Sequence, residues 1–330
     1  MKVLKKNSLL ELDQNWKCVS NKQPLEEINF NSAKTYSIPF FWHYLGFDSQ
    51  YGVYCENQFW IQTLEDFYEI GIFTHSIISA HEIYINGNLV GGQGVIVDKK
   101  IKEASSKPYV NYFFSYHLKK GENKIVLHAV DFGKAGAIFA VPVLGEKKVL
   151  DKHFIFWIMR YGSISLLMLF ISVYHFIMYF LNRLENSYLY FSFICLFSSI
   201  FNFSFNRFTY WIEPNFLFHF SLFHISFNSL ALFVPIFINK LFDLSHTYFS
   251  KTLIYSYLFC LLLSIASILN ADILIFYRDY VYTFLTPMLN LLVSIFMFYS
   301  IYSLKKKTEL QVLIMGLGVF VSSIAGLFSI

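Results

Sequence analysis

Hydrophobic and polar positions follow two different rhythms along this chain. Between Tyr36 and Pro142 short segments alternate residue by residue and are separated by turn residues, the pattern of antiparallel strands. Glu82-Ile83-Tyr84-Ile85 leads into Asn86-Gly87 and then Asn88-Leu89-Val90. Asn-Gly between apolar runs predicts a tight hairpin, because both central residues of a type I′ turn need positive φ. In Lys124 to Asp131, Ile125, Leu127 and Ala129 point one way and Val126, His128 and Val130 the other. With both faces apolar, that strand is expected at the centre of a two-sheet sandwich, one face on the core and the other under a loop or second surface. Tyr112, Phe114, Tyr116 and Leu118 also alternate, which leaves Asn111, Phe113, Ser115 and His117 on the more mixed face.

From Phe154 the alternation gives way to long apolar runs. A membrane span needs roughly 20 such residues, since a rise of about 1.5 Å per residue then covers the hydrocarbon layer. Six runs qualify, at about 154–181, 188–205, 216–238, 252–269, 280–304 and 310–330. Six in succession cannot share one water-soluble core, and in lipid each must be helical to satisfy its own backbone. Pro287 is expected to kink the fifth run and free a carbonyl that a neighbour must satisfy. The fold class predicted is an all-β jelly-roll sandwich over residues 1–150, followed by an α-helical transmembrane bundle over 154–330.

Charge sharpens the boundary. The chain has 330 residues, 55% hydrophobic and 15% charged, against about 25% charge in a soluble protein. Only 15 of its 48 charged residues lie in the 177 from Phe154 onward. A net charge of +4, without a basic cluster beyond Lys305 to Lys307, gives no nucleic-acid footprint.

Loops after the first, third and fifth spans hold Arg183, Lys240, Lys251, Lys305, Lys306 and Lys307, whereas those after the second and fourth hold Arg207 and Arg278. The excess places the first set in the cytoplasm and the amino-terminal domain outside it, in a chain integral to the membrane. Export of such a domain calls for a leader, and residues 1–30 contain no apolar stretch of the required length. An absent leader is preferred over a reversed first anchor or an inverted orientation.

The run Gly71 to Gly91, with Glu82-Ile83-Tyr84-Ile85-Asn86-Gly87 at its heart, resembles the galactose-binding-like jelly roll associated with glycosidases. Leu118-x-x-Gly121-x-Asn123-x-Ile125 resembles the second hallmark of that fold, and Gly136 to Gly145 its closing strand. Asn86, Gly87, Gly121 and Asn123 thus specify a fold and leave the ligand open. Such a domain followed by a Phe- and Tyr-rich bundle resembles the bacterial seven-transmembrane receptors with diverse intracellular signalling modules. The resemblance implies an exported sensor for a small ligand, carbohydrate among them, and a cytoplasmic signalling module or protein as output. It leaves homodimerisation open. Against that pattern the chain shows six spans and no output module, and reads as a truncated or separately encoded sensor, itself no enzyme.

Candidate chemistry is sparse. His81-Glu82 lacks the second histidine and the helix of a zinc protease, and Gly91-Gly92-Gln93-Gly94 lacks the spacing of a phosphate loop and reads as a sandwich loop. No metal site and no cofactor are expected. Cys195 and Cys260 fall in spans as packing residues, while Cys18 and Cys55 are free to pair if the domain is exported, which their spacing does not decide. Trp42, His43, Tyr44 and Trp60 are the aromatic candidates for a sugar face, each weighed against simple packing. His175, His219 and His224 read as hydrogen-bonded bundle histidines. Arg160, near the outer end of the first span, is a candidate for coupling sensor to bundle through Asp272 or Asp279. The alternative function is an integral membrane glycan or lipid transferase with a lectin-like accessory domain.

Overall fold

A computed structural model describes residues 2–303 apart from 21–24, 39, 42–46, 48–51, 65–66, 75–76, 78, 99, 106, 132–136, 139, 183–184, 213–214 and 242–247. It divides into two compact units: Met1–Arg160 with Asn206–Phe216, and the remainder from Tyr161.

The first unit is built on short strands. They are β1 (Lys2–Leu4), β2 (Leu9–Glu11), β3 (Trp16–Ser20), β4 (Thr35–Tyr36), β5 (Phe40–Phe41), β6 (Val53–Ile61), β7 (Glu69–Phe73) and β8 (Ala80–Ile85). There follow β9 (Asn88–Gln93), β10 (Val95–Val97), β11 (Lys100–Glu103), β12 (Val110–Phe114), β13 (Gly121–Val130), β14 (Ala137–Ile138) and β15 (Val143–Glu146). One sheet runs β4-β3-β6-β13-β8-β9 with β1 parallel on β6, and a second runs β12-β7-β15-β2. Both sheets feed one core, in which Val53, Cys55, Phe59 and Ile61 of β6 meet Ile125, Leu127 and Ala129 of β13 and Ile70 and Ile72 of β7.

Strand β13 is central, hydrogen-bonded to β6 on one side and β8 on the other. Its second apolar face is also covered: Val126, Tyr54 and Phe30 form a small outer core against Leu25 and Ile28. Asn86 and Gly87 both take positive φ, 51° and 87°, as the hairpin requires.

Two local expectations are corrected. β12 ends at Phe114, short of the alternation expected through Leu118, and Phe113 enters the core while Phe114 stays exposed. Gly91 and Gly92 lie in strand β9, paired with Ile83 and Glu82, and not in a loop. A Cβ on Gly92 would come within 2.3 Å of the His81 carbonyl, so close backbone approach explains the glycine.

The helical part comprises α1 (Lys147–Leu181), α2 (Ser187–Phe205), α3 (Phe216–Leu241), α4 (Tyr248–Ala266), α5 (Ala271–Phe276) and α6 (Thr286–Ser303), with a π-helical segment, Tyr277–Leu285, between the last two. Among the described residues four helices, α1 to α4, are long and apolar enough to cross a membrane, where six were expected. The fifth run is helical but interrupted, and the sixth lies outside the described residues. α1 begins at Lys147, ahead of the first apolar run.

α1 and α2 are joined by serines. Ser172 and Ser192 each donate to the other's backbone carbonyl at 2.9 Å, and Ser199 donates to the Ser165 carbonyl at 2.7 Å. In hydrocarbon, where apolar contacts between helices gain little over lipid, such small polar residues hold helices together. Pro287 sits just after the π segment, and the Thr286 amide and hydroxyl both donate to the Val281 carbonyl, the hydroxyl at 3.1 Å.

Candidate functional site

The first unit contains both a surface fit to receive a ligand and the chain segments that lead from the sandwich to the helices. The outward face of the second sheet is formed by Glu69, Gly71 and Phe73 of β7 with Tyr112 and Phe114 of β12. On it lie the first turns of α1. Lys147 donates to Glu69 at 2.8 Å and stands 5.1 Å above the Tyr112 ring, whose hydroxyl donates to Asp151. Burial, and then the Asp151 carboxylate, push the Tyr112 hydroxyl to a higher pKa.

Leu150 is fully buried, and Phe73 meets Phe154 and Trp157 edge-on at 5.2 and 5.5 Å. Lys147, Leu150, Asp151, Phe154 and Trp157 recur at helical spacing, so one stripe of α1 makes the whole joint. Gly71 permits it, because a Cβ there would stand 2.8 Å from both Leu150 and Tyr112.

The connection between α2 and α3 belongs to the same unit. Arg207 takes φ 62° directly after α2, a left-handed position that helix ends normally give to glycine or asparagine. Its guanidinium explains the exception: Nη1 donates to the Ile77 carbonyl at 3.3 Å, and although burial lowers its pKa, the nearby Tyr210 and Asp131 oppose that shift. Ser79, itself at φ 72°, donates to Asp131. Beside them His81 is buried, with Nε2 3.0 Å from the Thr74 hydroxyl. Burial, reinforced by the Arg207 charge, pulls its pKa down to about 3. Phe208 is buried 5.1 Å from Trp157, so the α2–α3 connection and α1 share one aromatic contact.

Next to the α1 joint is an exposed aromatic row. Tyr68, Phe114 and Tyr116 are 79%, 45% and 75% exposed, with ring centres 5.9 and 5.8 Å apart in sequence. Tyr116 stacks on Phe114 while Tyr68 meets it edge-on, and rings left uncovered by the fold can take the C–H face of a sugar. Tyr68 also borders a cleft with Glu69, Glu146, Lys147, Lys148 and Asp151, whose carboxylates and ammonium groups can accept from and donate to hydroxyls.

Of the residues singled out in the sequence, Trp60 is 41% exposed on the outer face of the first sheet, above Gly121. Trp42, His43 and Tyr44 lie outside the described residues, as do Arg183 and Lys305 to Lys307. Lys240 and Lys251 are exposed at the end of α3 and in the first turn of α4.

Asn86 and Asn123 lock turns together. Asn86 Nδ2 donates to Asn123 Oδ1 at 2.9 Å, and Asn123 also accepts from the Lys119 amide and donates to the Lys119 and Gly121 carbonyls. Gly121 takes φ 97°, which only glycine adopts without strain. Arg160 is exposed on α1. Arg278, expected in a loop, is buried in the π segment and hydrogen-bonds Asp279, one of the acids considered for Arg160, at 3.2 Å.

The sequence reading missed the cluster on the outer face of the first sheet. Glu82 accepts from Tyr84 at 2.8 Å and pairs with His128 at 2.9 Å, while Tyr54 stacks on His128 at 4.2 Å. The His128 hydrogen bond chiefly holds the Glu82 carboxyl below its usual pKa. Strand alternation carried the signal, since Tyr54, Glu82 and His128 all occupy outward positions.

No family profile matches the chain, and no curated protein sequence matches it. Among solved structures, it is similar to a glycosyl hydrolase family 2 member from Bacteroides cellulosilyticus DSM 14838, at 13% identity over 42% of this chain and 20% of that one, with TM-score 0.32. A β-D-glucuronidase for Dictyoglomus thermophilum shares 16% identity over 42% and 28%, with TM-score 0.33. A putative β-galactosidase from Bacteroides fragilis shares 15% over 42% and 23%, with TM-score 0.32. The chain therefore spans less than a third of each of these proteins, and likeness at this level carries no argument about what it binds.

Proposed function

We propose that the chain is the sensory and membrane part of a receptor: a jelly-roll domain outside the cytoplasm captures a small ligand, a carbohydrate, and passes its binding to the helices. The observation that carries this reading is the α1 joint. The helix that packs on the second sheet through Leu150, Phe154 and Trp157 continues without a break to Leu181, long and apolar enough to cross a membrane. A ligand on Tyr68, Glu69 and Asp151 touches the strand and the helix at once. Differential affinity for two placements of α1 would then shift the equilibrium between them.

Two further features support the reading. Cys18 and Cys55 form a disulfide across β3 and β6, which suits an oxidising compartment. Arg207 ties the α2–α3 connection to the sandwich and so offers a second route.

The test is binding of a panel of neutral and acidic oligosaccharides to the full chain in nanodiscs. The reading expects saturable binding to at least one, weakened tenfold or more by Tyr68→Ala with Tyr116→Ala. Loss of a stacked aromatic typically costs about 1–3 kcal/mol. No binding across the panel would overturn the carbohydrate assignment.

A further inference from the structure

In the helical unit two fully buried polar side chains lie one turn apart on α3. His224 and Asn228 have the i, i+4 spacing that stacks them on one face. The His224 ring is ringed edgewise by Phe220, Phe223, Tyr277 and Tyr282, with centroids 4.7 to 5.2 Å away. Neither of its nitrogens has a hydrogen-bond partner among the described residues. Asn228 Nδ2 donates to the Tyr277 hydroxyl at 2.6 Å and to Ser264 Oγ at 3.3 Å, yet its Oδ1 also has none.

Tyr257 provides the contrast. It is equally buried, and its hydroxyl donates to Asn290 at 2.6 Å. Polar groups in a protein interior are rarely left unmatched, because losing water without a replacement bond is costly. An imidazole nitrogen that accepts, a ring N–H that donates and an amide oxygen that accepts call for a guest able to do both in a small space. The guest that meets this demand without charge is water.

We infer that the helical unit holds a bound-water site on His224 and Asn228, beside Tyr277 and Tyr282 at the π segment. A two-turn π segment carries backbone groups in an uncommon register, and such segments gather at functional positions. Water next to it supplies donors and acceptors that an apolar core lacks. This site stands independently of the receptor reading.

The test is synchrotron hydroxyl-radical footprinting of the full chain in nanodiscs, in which water bound beside a buried ring is itself the source of the radical. Tyr277, as fully buried as Tyr257, is expected to be oxidised several-fold more than it, and His224→Phe is expected to abolish the excess. Should His224→Phe fail to fold, Asn228→Leu reads the same loss, and His224→Gln, which keeps a donor and an acceptor, is expected to retain the labelling. Oxidation of Tyr277 no greater than that of Tyr257, or an excess that survives both apolar substitutions, would overturn the inference.

Discussion

A Cβ placed on Gly71 would stand 2.8 Å from Leu150 Cδ2, so the second sheet and α1 meet at a position that has no room for a side chain. Gly71→Ala is therefore expected to loosen this joint, with overpacking that costs about 1–3 kcal/mol. Trimming Leu150 to Ala in the same chain should recover part of that loss. Urea unfolding of the single and double variants checks it, and additive effects would show that the two residues do not share the contact.

Arg207 keeps a left-handed backbone for the sake of its side chain. Arg207→Gly relieves that strain, worth about 1 kcal/mol, but removes the bond to Ile77. Both Arg207→Gly and Arg207→Ala are expected to speed hydrogen exchange in residues 206–212. If exchange there stays as slow as in the parent, the guanidinium does not anchor the connection.

His81 makes the sandwich acid-sensitive. In the unfolded chain it protonates near 6.5, while in the fold it resists until about 3. Between these values the unfolded state binds the extra proton, so stability falls as pH drops, by about 1.4 kcal/mol per unit at most. Thermal melts of the parent and His81→Gln from roughly pH 7 to pH 4 should diverge, with the variant losing less; parallel curves would contradict the assignment.

The disulfide joins residues 37 apart in sequence. Removing it frees a loop of that length in the unfolded state, which the chain-entropy account sets at about 3–4 kcal/mol. Cys18→Ser with Cys55→Ser is expected to melt lower than the parent and to be indifferent to reductant. A parent that is itself indifferent to reductant would show that the bridge does not form.

The strands were legible because alternation, Asn86-Gly87 and Gly121 are local signals that the sandwich obeys. Alternation alone could not say which side of β12 faces inward. Tyr112 and Phe114 are the more hydrophobic row, but Gly71 opposite them leaves space for α1, and Phe113 fills the core instead. The joint was hidden for the same reason: Leu150 closes the predicted sandwich and Trp157 falls in the first apolar run, while their partners Gly71 and Phe73 lie in a strand far away in sequence. Arg207 was visible only as a loop charge, since its left-handed backbone and its contact with Ile77 exist only in the fold. Arg278 illustrates the opposite error, a charge assigned to a loop because a charge in a membrane helix is costly, although Asp279 beside it meets that cost.

The central claim is that a ligand held by the sandwich is felt by the helices that leave it. Hydrogen exchange of the full chain in nanodiscs, measured with and without the tightest-binding oligosaccharide of the panel, tests it most directly. The account predicts altered exchange in residues 147–160 and 206–212, the two segments tied to the sandwich, and its loss in Gly71→Ala and Arg207→Ala. Saturable binding that leaves both segments unchanged would contradict it.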